Sequence, residues 1–384
     1  MCAAAVTDNK KFNDLCAQAA QQSESIEAAR RLPKELAGAL ADYGMFSMFV
    51  PKKIGGGEWS APDGMAHLQK LAAFDTASAW VCMIGATTGL GAAYIAPDIS
   101  ANMFGAAGRV TCGIFAPSGK AIIDGDDFIV NGRWAWASGS ANADYIGVGC
   151  MVLDKAGDTP DPSRTRFIMA PRDDIIFHDT WHTMGLRGTS SGDIELREAR
   201  IPIAHSYALS EGAWDDSPLY RMPYFGFLAA GVAAIALGNA RAAIDDFKIL
   251  AMNKKASGAS RPLHEMERIQ NGLAHAEADW GAAHAFYWAG VNEVWAAQCK
   301  SKDRPDVETK MRLRLVSTHA VRSCVQVLGA IHDMAGGTSV YNQSSIQRRL
   351  RDGQTMTQHI ITGPGTYDVI GRIMLGGYQP SMMI

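Results

Sequence analysis

The hydrophobic period of this chain changes twice, near Val110 and again near Tyr224, and that double change restricts its fold more than any single motif does. Before Val110 the pattern is helical. Phe12, Leu15, Ala19 and Ile26 recur at helical spacing, as do Leu32, Leu36, Ala39 and Leu40. Pro33 falls where a first helical turn tolerates it, and Pro51 with Gly55-Gly56-Gly57 closes that block as a loop. Further helices are expected over Pro62–Phe74 and Ser78–Tyr94, the latter stopped by Pro97. Between the two changes the period is that of strands. Ala121–Ile123 and Phe128–Val130 flank an Asp-Gly-Asp-Asp turn, and Tyr145–Leu153, Arg166–Ala170 and Asp193–Ile201 follow as short strands of a small sheet or barrel.

From Tyr224 onward the helices are long. Four are expected: Phe227–Met252, Leu263–Gln298, Val307–Ala335 and Ile346 to about Ile361, enough for an antiparallel bundle. The second would reach roughly 54 Å if unbroken. Trp280, Phe286, Trp288, Val291 and Trp295 give it an aromatic surface suited to core packing and a subunit contact. The chain therefore reads as α+β in three parts: an N-terminal helical domain at 1–110, a middle β domain at 111–223, and a C-terminal helical bundle at 224–384. Helix, sheet, bundle is an uncommon order, and it suggests a cofactor held between layers.

Composition excludes several classes. Hydrophobic residues make up 47% and charged residues 20%, as in a folded globular protein. A net charge of −3 gives no electrostatic case for nucleic acid. The stretch MCAAAVTDNKKF has no basic segment leading into an apolar run, so no secretory signal is expected. The longest apolar run, Tyr224–Leu237, is too short to span a bilayer, and no membrane association is expected. Seven scattered cysteines without a CxxC pair fit reduced thiols, mostly buried, in a cytoplasmic protein.

Local motifs argue mainly by exclusion. No GxGxxG follows a strand, and Gly85–Gly91 lacks the Lys-Ser/Thr of a phosphate loop, so binding of a nicotinamide dinucleotide by a Rossmann unit is not expected. His178 and His182 have the spacing of a helical metal pair but lie in strand and loop sequence with no HExxH glutamate, so no metal site is assigned. In Arg351–His359 (RDGQTMTQH) a seven-residue step would align Asp352, Thr355 or Met356, and His359 on one helix face.

Several stretches together resemble the acyl-CoA dehydrogenase superfamily, in the family's order and over most of the chain. WAWASGSANADY, from Trp134, is similar to its second flavin-contacting strand, and Phe115–Ala121 to its first flavin-contacting loop. Trp181–Asp193 resembles a turn late in its β domain. Ala335-Gly336-Gly337 and Gln347–Asp352 resemble its C-terminal dinucleotide-contacting and Arg-Asp segments. The resemblance implies flavin contacts at Phe115, Ala116, Trp134, Trp136, Ala137, Ser138, Gly337 and Thr338, with Trp134 and Trp136 walling the isoalloxazine edge. It also implies a homotetramer. Lys254, Lys255 and Arg261 stand as candidates for a flavin phosphate. Arg348, Arg349, Arg351 and Asp352 read as structural ion pairs.

Within the superfamily the dehydrogenases need a carboxylate to take the acyl-CoA α-proton. At the usual place, just after the Arg-Asp segment, this chain has Gln358-His359-Ile360-Ile361, and no Asp or Glu occurs between Asp352 and Asp368. The other family position falls near Tyr224-Phe225, again without a carboxylate. The chain resembles instead the two-component flavin-dependent monooxygenases, through Ser138-Gly139, Pro117–Ala121 and His359. That branch implies reduced FAD or FMN from a separate NAD(P)H-flavin reductase, O₂, a C4a-hydroperoxide, and hydroxylation of a small aromatic or heteroaromatic, phenolic or indole-like. Ser138 would hold the peroxide or N5, and His359, with an imidazole pKa of about 6.5, would take the substrate proton. Two other readings stay open: a dehydrogenase or flavin oxidase with a displaced base, and a non-catalytic assembly protein.

Overall fold

The computed structural model describes residues 9–105, 108–255, 258 and 261–377. The ends of the first and third expected domains therefore lie outside the described residues. Helices α1 (Asn9–Ala29), α2 (Lys34–Tyr43), α3 (Ala61–Phe74), α4 (Thr76–Thr88) and the single turn α5 (Pro97–Ser100) come first. Ser60 caps α3 by accepting from Asp63 N–H, and Asp75 caps α4 by accepting from Ser78 N–H. The helix expected to run to Tyr94 ends at Thr88 and tightens into a 3₁₀ turn over Gly89–Ala93, where two glycines remove helical preference. Pro97 opens α5 rather than merely ending its predecessor.

A seven-stranded mixed sheet follows: β1 (Thr111–Asp124), β2 (Asp127–Trp134), β3 (Tyr145–Leu153), β4 (Thr165–Pro171), β5 (Ile176–His178), β6 (Asp193–Pro202) and β7 (Ser206–Tyr207). The spatial order is β5-β6-β2-β1-β3-β4-β7, with β1 and β3 parallel and the other neighbours antiparallel. The expected hairpin closes at Asp124 opposite Asp127, with Gly125 at φ +64°. β5 and β7 are too short to show alternation in the sequence. Between Ile114 and Gly119 the register of β1 against β3 shifts, so Phe115–Ser118 leave the ladder. Beneath this bulge Trp134 is fully buried and donates from Nε1 to the Gly149 carbonyl at 2.8 Å. Its ring fills the space over Gly119, where an added Cβ would stand 2.1 Å from Trp134 Cζ2.

The bundle comprises α6 (Tyr224–Asn253), α7 (Glu267–Lys300), α8 (Val307–Ala335), α9 (Ser345–Met356) and α10 (Gly365–Met374). At 30 residues, α6 is longer than expected, and by length and composition alone it could cross a bilayer. It is the central core helix, packed against α3, α4, α8 and α9. α7 begins at Glu267, because Leu263–Glu265 form a 3₁₀ turn after Pro262. Its indoles tie it to neighbours: Trp280 Nε1 donates to the Leu237 carbonyl and Trp288 Nε1 to Gln69 Oε1, both at 3.0 Å. α9 ends at Met356, short of His359, and α10 has no counterpart in the sequence reading.

Five cysteines, Cys16, Cys82, Cys112, Cys150 and Cys324, are free and buried. Cys299 is disulfide-bonded, which corrects the expectation of reduced thiols throughout.

Candidate active site

The site is built where α4, the β2–β3 loop and the segment after α9 meet. Past β2 the chain turns through Trp136 at φ +66° and Gly139 at φ +81°. Backbone bonds then pin this loop to residues 189–192: Ala137 N–H donates to the Gly192 carbonyl and Gly139 N–H to the Thr189 carbonyl. Ser138 is thereby set opposite Ser191.

Four groups form a chain whose direction can be worked out. Thr189 Oγ1 lies 2.7 Å from the Leu186 carbonyl, which can only accept, so Thr189 spends its proton there. Ser191 Oγ, 2.6 Å from Thr189 Oγ1, must then donate to it, and Ser138 Oγ, 2.6 Å from Ser191 Oγ, must donate in turn. Trp80 Nε1 donates to Ser138 Oγ at 3.1 Å. Ser138 keeps acceptor capacity but no free proton, which corrects the expectation that it could serve a ligand as donor.

Trp80 also meets His359, edge to face, with ring centroids 5.7 Å apart. His359 is not on a helix face with Asp352. Once α9 ends, His359 starts a short 3₁₀ turn over Ile360–Thr362 and its Nδ1 accepts from Ile361 N–H at 3.3 Å. In the neutral ring the proton therefore sits on Nε2, which makes no hydrogen bond among the described residues. Burial, aided by the nearby Arg314 guanidinium, pushes the imidazole pKa down to about 4. The ring is neutral near pH 7, but it is a weaker base than an unperturbed histidine.

The Arg-Asp segment supports this arrangement from behind. Asp352 Oδ1 accepts from Leu186 N–H at 2.6 Å and fixes Leu186 at φ +49°. Gly185 lies so close to α9 that an added Cβ would stand 2.2 Å from the Arg351 carbonyl oxygen. Arg351 bonds Glu27 Oε1 at 2.6 Å and the Met184 carbonyl, Arg348 reaches Glu27 at 3.9 Å, and Arg349 pairs with Asp246 at 2.8 Å. Burial holds the Asp352 carboxyl up at about 7. The four residues act structurally, as their pairing partners show.

Of the other expected flavin contacts, Phe115 is half-buried in an aromatic group with Phe167 and Tyr224, and Ala116 is exposed on the β1 bulge. Trp136 is 60% exposed beside Ser138, whereas Trp134 lies wholly inside the sheet and cannot wall an open cleft. Ala137 is buried and contributes its backbone N–H to the loop. Gly337 and Thr338 follow the C-terminus of α8, roughly 30 Å along that helix from Arg314, so one chain does not bring them to His359. Lys254 is at that far end, donating to the Ala335 carbonyl at 2.7 Å, and Arg261 pairs with Glu267 at 3.3 Å. His178 bonds Glu195 at 2.9 Å while His182 stands near Asp179 and Arg30, so the two histidines serve different partners. Trp80 and Arg314 had no local signature, and Thr189 and Ser191 lay within the Trp181–Asp193 stretch without a role assigned to either. The hint for Trp80 is a tryptophan inside an apolar helix.

A flavin asks for an apolar slot with an acceptor for a ring N–H, and the residues present fit. Ser138 supplies the acceptor, and the exposed Trp136, Met184 and Ile360 adjoin the site residues in sequence.

A family model described as acyl-CoA dehydrogenase, N-terminal domain, matches residues 10–98, and one described as acyl-CoA dehydrogenase, C-terminal domain, matches residues 230–364. The indole-3-acetate monooxygenase of Pseudomonas putida is 29% identical over 356 residues, covering 91% of this chain and 89% of its own. The oxygenase component of p-hydroxyphenylacetate 3-hydroxylase from Acinetobacter baumannii is 27% identical over 389 residues, covering 97% and 89%. Two solved structures share the fold. A 3-HSA hydroxylase from Rhodococcus sp. RHA1 has a TM-score of 0.90 at 22% identity, with 98% of each chain covered. XiaF from Streptomyces, in complex with FADH2 and glycerol, has a TM-score of 0.88 at 20% identity, with 97% and 96% covered. The chain belongs to the acyl-CoA dehydrogenase superfamily, where it groups with oxygenase components of flavin-dependent monooxygenases.

Proposed function

We propose that this chain is the oxygenase component of a two-component monooxygenase that hydroxylates a small aromatic or heteroaromatic, phenolic or indole-like. One observation carries the reading. Trp80 links Ser138 to His359, so the residue standing where dehydrogenases keep a carboxylate belongs to the same contact group as the loop hydroxyl. Asp352 and Asp75, the buried carboxylates on α9 and at the start of α4, are engaged with Leu186 N–H and Ser78 N–H.

Reduced FAD or FMN, when bound, supplies activated oxygen to an electron-rich ring. The residues do the rest. With its own proton committed to Ser191, Ser138 would hold a reduced flavin as an acceptor for the ring N–H that only the reduced form carries. Trp80, buried against both Ser138 and His359, would keep water from the reacting groups. His359 holds the substrate's polar group at Nε2–H, and its low pKa keeps it uncharged while doing so. A separate reductase is part of the proposal, supported by the likeness to the oxygenase component of p-hydroxyphenylacetate 3-hydroxylase.

The homotetramer reading is supported by apolar residues at the far end of the bundle. Ile249, Met252, Val340 and Tyr341 are all more than 60% exposed there, beside Gly337 and Thr338. A cytoplasmic location is part of the same proposal, supported by five free buried thiols against one disulfide-bonded cysteine, Cys299.

The test supplies reduced flavin, ¹⁸O₂ and a panel of phenols and indoles to the wild type, His359→Ala and Ser138→Ala. Expected is one labelled oxygen per product from the wild type and a strong loss in both variants. Undiminished hydroxylation in both sinks the residue assignment. Anaerobic bleaching of oxidised flavin by an acyl-CoA overturns the reaction class.

A further inference from the structure

Arg314 is 1% exposed, and its Nε and Nη1 have no hydrogen-bond partner among the described residues. Only Nη2 is engaged, donating to Thr366 Oγ1 at 3.0 Å. Other arginines of the bundle are matched with carboxylates: Arg349 with Asp246 at 2.8 Å, Arg241 with Glu277 at 2.6 Å and Asp245 at 2.8 Å, Arg312 with Glu293 at 3.0 Å. These are less buried than Arg314, yet each has the counter-charge that Arg314 lacks. A guanidinium removed from water without an anion costs several kcal/mol, and a fold does not keep such a group for packing when Leu or Met would fill the space. One helical turn on, Thr318 on the same face is fully buried with its Oγ1 also unpartnered. Two neighbouring side chains therefore hold polar atoms that the protein itself does not satisfy.

Their location says which ligand they await. The turn at Ile360–Thr362 packs on α8 and α6, and Arg314 is close enough to His359 to disfavour its protonation electrostatically. His359 opens the turn that packs on α8, the helix carrying Arg314, while Ser138 is joined to His359 through Trp80. We propose that the substrate is an aromatic or heteroaromatic carboxylic acid whose carboxylate is bound by Arg314 with Thr318, leaving its ring beside His359. This rests on the hydroxylase reading and narrows it to aromatic acids. Arg314 in this role is a specificity residue. The carboxylate satisfies the orphaned N–H groups, and the acid enters a site that an uncharged ring leaves electrostatically unbalanced.

The test uses protein saturated with reduced flavin under anaerobic conditions and calorimetric titration with two matched pairs: indole-3-acetate against 3-methylindole, and 4-hydroxyphenylacetate against 4-methylphenol. Expected in the wild type is binding of the acid at least about 100-fold tighter than its neutral partner in one pair, in line with a buried charge-assisted contact. Arg314→Met should erase that preference while leaving the neutral partner within about threefold and the reduced-flavin dissociation constant unchanged. Thr318→Val, which conserves volume, should weaken the acid alone by about fivefold. Equal binding of both members of each pair by the wild type overturns the proposal, and that arm needs no variant to fold. Loss of flavin affinity in Arg314→Met, with acid preference retained, also overturns it by giving the guanidinium to the cofactor. Efficient ¹⁸O transfer to neutral rings without acid preference defeats this inference but leaves the hydroxylase reading standing. The absence of oxygen transfer to any ring defeats the reading itself.

Discussion

Replacing Asp352 by Asn tests the support behind the active site through its pH dependence. Asp352 is 7% exposed, and its pKa rises from 3.8 to about 7, through burial first and the nearby Asp75 and Glu27 charges after it. Because the folded value lies above the unfolded one, the protonated carboxyl is the stabilising form. Its contribution is whole below about pH 4 and is lost as pH climbs through 7. The full span of roughly three units corresponds to about 4 kcal/mol, and the part crossed between pH 5 and pH 8 to about 3 kcal/mol. For a chain of this length that is roughly 4 °C in Tm. Asn keeps an oxygen to accept from Leu186 N–H but cannot ionise. Differential scanning fluorimetry at pH 8 and pH 5 should therefore show the wild type gaining roughly 4 °C on Asp352→Asn as pH falls. Depressed histidines such as His67 and His284 oppose this trend equally in both proteins, so they cancel in the difference. Parallel Tm–pH curves would refute the reasoning, because they would mean Asp352 is already ionised or water-exposed.

Other outcomes follow from the same geometry. Ser138→Ala should weaken reduced flavin by about tenfold, one hydrogen bond's worth, and leave oxidised flavin unchanged, as read by anaerobic equilibrium dialysis. With neutral substrates kcat should be level from pH 6 to 8, because the His359 imidazole loses its proton near pH 4; a wild-type inflection near 6.5 that His359→Gln removes would contradict this. An acid substrate bound at Arg314 offsets the positive charge that depresses His359, so the low-pH limb of kcat should move upward relative to the neutral partner of the pair. Gly119→Val puts atoms into the Trp134 ring and should cost at least about 1–3 kcal/mol in chemical denaturation, with quenching or shift of indole fluorescence.

Elements with strong periodicity are legible in the sequence, whereas those whose ends depend on tertiary contact are not. α8 matches its expected bounds, Val307–Ala335, because Asp306 caps it and Gly336 ends it, both visible as residue types. α9 stopped three residues short of His359, and nothing in Thr357-Gln358-His359 announces that. The seven-residue alignment of Asp352 with His359 therefore failed, though the histidine still reached the site by another route. Trp134 and Trp136 look alike in WAWASG, yet alternation sends the first inward and a positive φ sets the second outward. Ser191 and Arg314 were illegible for a different reason. Their meaning comes from partners 53 and 52 residues away, Ser138 and Thr366, and no local pattern encodes such a distance.

The row of hydroxyls running from Ser138 to Thr189 takes its orientation from one main-chain oxygen, that of Leu186. Every side chain in the row can be exchanged by mutation, but that oxygen is common to all residue types and survives any substitution at position 186. The receiving character of Ser138 thus begins at a main-chain oxygen but reaches the loop through two hydroxyls. It lasts only while Thr189 and Ser191 both keep theirs, so one substitution at either would return the proton to Ser138.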